Sequence, residues 1–233
     1  MRVILIIFFA VLLIFFALSK FFDMRLLNDW ASLSRYENDN SKTPLPAPGE
    51  KRIVYIGDSI TDYWIEKDPE FFKGRYIDRG ISGQTTPQML VRFREDVISL
   101  KPEVVVILAG INDIAENTGP SKLQNVAGNI FSMAELAKAH HIKVILCSVL
   151  PAAAFPWKPG INPVQSIIKL NQMLSDYAQK NNLGYIDYYS AMVDGHKAFK
   201  KALVVDGVHP NLAGYRIMEP LADKAIAEVL AKK

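Results

Sequence analysis

The run Val104-Val105-Val106-Ile107-Leu108-Ala109 constrains the fold of this chain more than any other segment. No polar side chain falls on either alternation, so a strand made from it must be covered on both faces. An antiparallel sheet with one wet face does not offer that environment; a parallel sheet between layers of helices does. From Arg52 onward, short apolar stretches alternate with helical periods. Strands are predicted at 53–56, 75–78, 104–109, 143–149 and 185–187. Helices are predicted at about 87–100, 122–140, 163–182 and 212–231. Pro87 and Pro163 suit first helical turns, where an amide hydrogen goes unused. Ile217, Leu221, Ala225 and Val229 make one apolar stripe at a spacing of four. The pattern is that of an α/β domain with right-handed crossovers.

A length of 233 residues suits one globular domain, and 50% hydrophobic with 22% charged residues excludes a disordered or collagen-like chain. The net charge of +3 gives no nucleic-acid footprint. Lys197, Lys200 and Lys201 read as a solvated face. The one cysteine, Cys147, excludes an intrachain disulfide and lies in an apolar run, as a buried structural thiol does. No Cys/His spacing suggests zinc, and the adjacent His140-His141 suits a helix end. Residues 3–18 are apolar behind Arg2, a reach of about 24 Å as a helix against a ~30 Å hydrocarbon core. Residues 1–22 therefore read as a signal peptide or an uncleaved membrane anchor, and either form exports the domain to the periplasm, the exterior or the outer side of the cytoplasmic membrane. Residues 23–50 form an arm and a proline-rich linker, with a short amphipathic helix predicted between Asp29 and Tyr36. The main domain occupies 51–233.

Polar motifs follow the predicted strands, on the rim where open parallel sheets bind ligands. Gly57-Asp58-Ser59-Ile60-Thr61 follows the first, Gly80 to Thr86 the second and Gly110-Ile111-Asn112-Asp113 the third. Ser59 alone reads as a helix N-cap as readily as a nucleophile. Asp206-Gly207-Val208-His209, near the end of the chain, turns the reading toward chemistry. His209 can accept a hydroxyl proton near neutral pH, and Asp206 can fix its tautomer. Asp58 reads as a brace for the loop, while Asp187 and Asp194 have no local tie to His209. Donors for an oxyanion are the Ser59 amide, the Gly83 amide and the Asn112 side chain. Gly83 also reads as an ordinary turn glycine, and Asn112 as an Asx turn with Asp113.

These blocks, in this order, resemble the SGNH (GDSL-type) hydrolases. The stretches Gly80 to Phe93 and Gly110 to Pro120, with Asp29-Trp30, Arg35-Tyr36 and Pro156-Trp157, are similar to an exported bacterial branch described as platelet-activating-factor acetylhydrolase-like or acylhydrolase. Ile111 departs from that branch, which usually carries threonine there. The resemblance implies a three-layer α/β/α sandwich on a flavodoxin-like five-stranded parallel sheet. It implies ester hydrolysis through an acyl-serine without metal or organic cofactor, with Ser59 as nucleophile, His209 as base, Asp206 as its partner and Ser59, Gly83 and Asn112 around the oxyanion.

Tyr63, Trp64, Phe155 and Trp157 are candidates for the substrate border, with core or rim packing as the competing role. No lid-length insertion separates the blocks, so small acyl groups are expected, acetyl first, on a sugar, a lysolipid or a simple ester. A lysophospholipase or thioesterase, and a non-catalytic domain holding an acylated glycan or lipid, are the alternatives. A nucleotide binder lacks support, because no lysine follows Gly80–Gly83 as in a phosphate-cradling loop.

Overall fold

The computed structural model describes residues 29–232. The predicted signal or anchor, 1–22, lies outside them. Five strands, β1 Ile53–Gly57, β2 Tyr76–Gly80, β3 Val104–Leu108, β4 Lys143–Cys147 and β5 Gly184–Ile186, form one parallel sheet in the order β2-β1-β3-β4-β5. All four pairings are parallel. This is the flavodoxin-like order that the resemblance implied. The β-branched residues of β3 are buried on both faces, as their unbroken apolarity requires.

Helix α1, Glu37–Lys42, belongs to the arm. It is followed by α2 Ser59–Lys67, α3 Thr86–Asp96, α4 Ile111–Ile114, α5 Leu123–Ala139, α6 Val164–Lys180, α7 Tyr188–Met192 and α8 Leu212–Ala231. Helices α2 and α8 touch each other and cover one face of the sheet, while α3, α5 and α6 cover the other. The predicted helix at 87–100 is broken. It ends at Asp96, and a 3-10 turn at Ile98–Leu100 leads to Lys101 in the left-handed region. The predicted arm helix is shorter and later than expected. The Asp29 carboxylate accepts from the Leu33 and Ser34 amides and holds a 3-10 turn at Leu33–Arg35, so the α-helix starts only at Glu37.

On the α2/α8 face, Tyr55 of β1 is ringed by Trp64, Phe71, Phe72 and Tyr76, all edge-on at 5.4–5.8 Å. Trp64 also stacks on Phe71 at 4.9 Å and on Tyr215 of α8 at 5.3 Å. The Tyr215 hydroxyl donates to the Ile60 carbonyl, which fixes the start of α2. Burial of these large rings stabilises this face, and their edge-to-face geometry adds to it.

The arm is fastened to the opposite edge by polar bonds. Tyr36 donates to the Gly80 carbonyl, Gln84 to Ala31 and Gln88 to Trp30. Asn40 donates to Asp96 and accepts from Arg79. Behind them Arg92, with a side chain 0% exposed, pairs with Asp96 at 2.9 Å and donates to the Gly57 carbonyl and the Gln84 side chain.

The register puts Gly57 opposite both Gly80 and Leu108, so β1, β2 and β3 end at one level. Their loops leave side by side. A side chain at Gly80 would meet the Asp62 backbone nitrogen at 2.1 Å, so this glycine lets β2 pass directly under the first turn of α2.

Candidate active site

Ser59 opens α2 where β1 ends. The helix is capped by its neighbour: the Asp58 carboxylate accepts from the Ile60 amide at 3.0 Å. Ser59 is thereby released from the capping role and its hydroxyl is free for another partner. That partner is His209, with Oγ 2.9 Å from Nε2. The other ring nitrogen, Nδ1, lies 2.7 Å from Asp206 Oδ2. An ionised carboxylate only accepts, so Nδ1 carries the proton and Nε2 turns its lone pair to the serine hydroxyl.

The loop bearing this pair is tightly tied. Asp206 Oδ1 accepts from the amides of Val208 and His209 at 3.0 and 2.9 Å. Gly207 turns the chain with φ +93°. Across the loop, the Val205 amide donates to the His209 carbonyl and the Asn211 amide to the Leu203 carbonyl, and Asn211 caps α8. Burial alone would raise the Asp206 carboxyl, but the two amides and the His209 ring outweigh it and hold it below the usual carboxylate range.

Gly83 occupies the third position of a turn closed by the Gln84 amide on the Ile81 carbonyl, with φ +80°. A turn that needs positive φ there favours glycine. The adjoining Ser82 donates through amide and hydroxyl to Asp62, tying the turn to α2. Asn112 lies on α4 and is 3% exposed. Its Nδ2 donates to the Gln84 carbonyl at 3.1 Å and its Oδ1 accepts from Asn117 at 2.9 Å. One amide hydrogen of Asn112 remains for a further acceptor. Asp113 joins the two loops, accepting from the Thr86 amide and hydroxyl at the start of α3. The departure at Ile111 leaves this arrangement in place, its side chain being buried.

The four aromatic candidates separate. The Tyr63 ring lies 5.4 Å and the Trp157 ring 6.0 Å from the His209 ring, and Trp157 is 42% exposed. Trp64 and Phe155 are both buried, at 1% and 2% exposure. Trp64 faces the sheet in the aromatic cluster, and Phe155 packs beneath Trp157. Sequence reasoning passed over Asn117, Gln84 and Arg92, which hold the candidate residues in place.

The sequence profile of the GDSL-like lipase/acylhydrolase family matches residues 55–217, which takes in every block above. The chain belongs to this family. A crystal structure from Bacteroides fragilis NCTC 9343, described as an acylhydrolase, is 54% identical and covers 87% of this chain and 99% of that one, with a TM-score of 0.85. Esterase TesA of Pseudomonas aeruginosa is 30% identical over 152 residues, 64% of this chain and 69% of that protein. An acetylxylan esterase of Geobacillus stearothermophilus is 26% identical over 200 residues, 73% of this chain and 90% of that protein. This GDSL-type protein is a carboxylic ester hydrolase.

Two buried carboxyls near the site of this hydrolase titrate unusually. Burial pushes Asp58 and Asp78 each up to about 7, against the pull of the Ile60 and Gly80 amides. In each, Oδ2 has no hydrogen-bond partner. An aspartate in the unfolded chain releases its proton at about 3.9. Between that pH and about 7 the folded form still holds protons that the unfolded form has lost, so stability falls as pH rises and levels off above. The urea midpoint should therefore be higher at pH 5 than at pH 8, and Asp78→Asn should flatten that slope. A midpoint that climbs from pH 5 to 8 in the parent, or an equal slope in the variant, contradicts this.

Proposed function

We propose that this hydrolase cleaves short acyl esters, acetyl foremost, through an acyl-serine intermediate. The observation that carries the reading is the unbroken line from Asp206 Oδ2 to His209 Nδ1 at 2.7 Å and from His209 Nε2 to Ser59 Oγ at 2.9 Å. Ser59 Oγ attacks the ester carbonyl while Nε2 takes its proton. The imidazolium, stabilised by Asp206, then protonates the departing alcohol. Water attacks the acyl-serine with His209 again as base, releasing the acid and restoring the serine. The amides of Ser59 and Gly83 and the free hydrogen of Asn112 Nδ2 stabilise the oxyanion in both halves of the reaction.

Tyr63 and Trp157 beside His209 mark the alcohol side of the site. The exposed Trp157 ring and the half-buried Tyr63 ring suit the C–H faces of a sugar, and the relative named as an acetylxylan esterase supports an acetylated carbohydrate. A screen of p-nitrophenyl esters from acetate to octanoate, with acetylated xylooligosaccharides and a lysophospholipid beside them, tests the class. We expect kcat/KM to fall as the acyl chain lengthens and deacetylation to exceed lysophospholipid cleavage. Preference for octanoate or the lysophospholipid overturns the short-acyl reading. Export remains our reading of residues 1–22.

Asn112→Ala should lower kcat about 10²–10³-fold if its amide meets the oxyanion. A variant with unchanged kcat and raised KM would make Asn112 a binding residue instead.

A further inference from the structure

We propose that Asn117 is a positioning residue through which the rim indole of Trp157 sets the orientation of Asn112. The inference deepens the proposed reaction and rests on the oxyanion role of Asn112. Asn117 touches every part of this link. Its Oδ1 accepts from Trp157 Nε1 at 3.1 Å. Its Nδ2 donates to Asn112 Oδ1 at 2.9 Å and to the Gly83 carbonyl at 3.3 Å. Its backbone amide donates to the Asn112 carbonyl at 3.0 Å. Among the described residues, no other side chain hydrogen-bonds to the Trp157 indole, to Asn112 and to the Gly83 loop together.

The logic is one of donors and acceptors. An indole N–H only donates, so the Asn117 atom that faces it is oxygen. Its other atom is then the NH2 group, and the Asn112 atom facing that group must be oxygen. Asn112 consequently turns its NH2 toward the Gln84 carbonyl and the site, as an oxyanion donor must. A carboxamide turned the other way would present a lone pair to the developing negative charge. Glu116, the residue before Asn117, has φ +56°, a left-handed conformation costly for a residue with a side chain. That turn is what brings Asn117 back over Asn112. Asn117 is itself exposed, so its side chain is not held there by core packing.

The test is a double-mutant cycle on p-nitrophenyl acetate, a substrate with no sugar, with thermal midpoints measured for every variant. Asn117→Ala should lower kcat about tenfold with KM little changed, since a misaligned donor costs transition-state binding. Trp157→Phe keeps a ring face and loses only the N–H; it should lower kcat about threefold, less than Asn117→Ala because the Gly83 and Gln84 carbonyls also orient the amides. In an Asn112→Ala background, adding Asn117→Ala should cost almost nothing more. Wild-type kcat in Asn117→Ala, or losses that multiply fully in the double variant, overturns the proposal while Asn112 keeps its role. An Asn112→Ala protein with unchanged kcat removes the oxyanion assignment and this link together.

Discussion

Replacing Ser59 by alanine lowers p-nitrophenyl acetate turnover by about 10⁴-fold or more, to the residual rate that binding and the oxyanion donors sustain alone. The same change leaves the thermal midpoint within about 2 °C of the parent. Both halves of this expectation come from the geometry. The hydroxyl bonds to His209, and the task of capping α2 belongs to Asp58, so alanine removes a nucleophile without unfastening a helix. Had Ser59 been the cap, the substitution would cost about 1 kcal/mol of stability. Steady turnover in the alanine variant, with contaminating esterase excluded, would move the nucleophile elsewhere. Acyl-enzyme trapping followed by mass measurement of the peptide containing residue 59 gives an independent check.

Arg92→Met loses about 3–5 kcal/mol of stability in urea unfolding, because methionine fills the space and leaves the Asp96 carboxylate buried without its cation. Arg92 and Asp96 side chains are 0% and 2% exposed. The guanidinium also spans from the Gly57 carbonyl at the end of β1 to the Gln84 side chain, so its loss loosens the loop that carries Gly83. Adding Asp96→Leu should recover most of the loss, since a matched apolar pair avoids the unpaired charge. A single variant within about 1 kcal/mol of the parent would show that water reaches Asp96 and that the pair is less enclosed than its burial implies.

The sheet was legible because β3 tolerates no wet face and because each apolar run is separated by a helical period. Ser59, Asp206 and His209 were legible as residue types in a known order, and the first two ends of their hydrogen-bonded line were local or at a strand exit. The aromatic candidates needed a helix that had not been assigned. Once α2 starts at Ser59, Tyr63 lies four residues on and shares the serine's face, while Trp64 is rotated about 100° further, into the sheet. Phe155 sits in a loop, where no period tells inside from outside. Asn117 escaped because its partners Gly83 and Trp157 are 34 and 40 residues away, a separation over which spacing carries no signal. The break of the 87–100 helix at Asp96 was hidden for a similar reason: Asp96 ends α3 while serving a buried arginine and an asparagine of the arm.

The arm has a practical consequence for anyone who trims this protein. Proline-rich residues 43–50 look like a natural place to cut, yet the carbonyls of Trp30 and Ala31 are held by Gln88 and Gln84, and Gln84 also receives the Asn112 amide. A shortened product starting at 51 would leave two glutamine amides without their acceptors, next to the loop that must stay still during turnover. Such a product would keep its sheet and its serine while working with a slack oxyanion pocket, so expression and solubility would be poor guides to whether the right piece had been made.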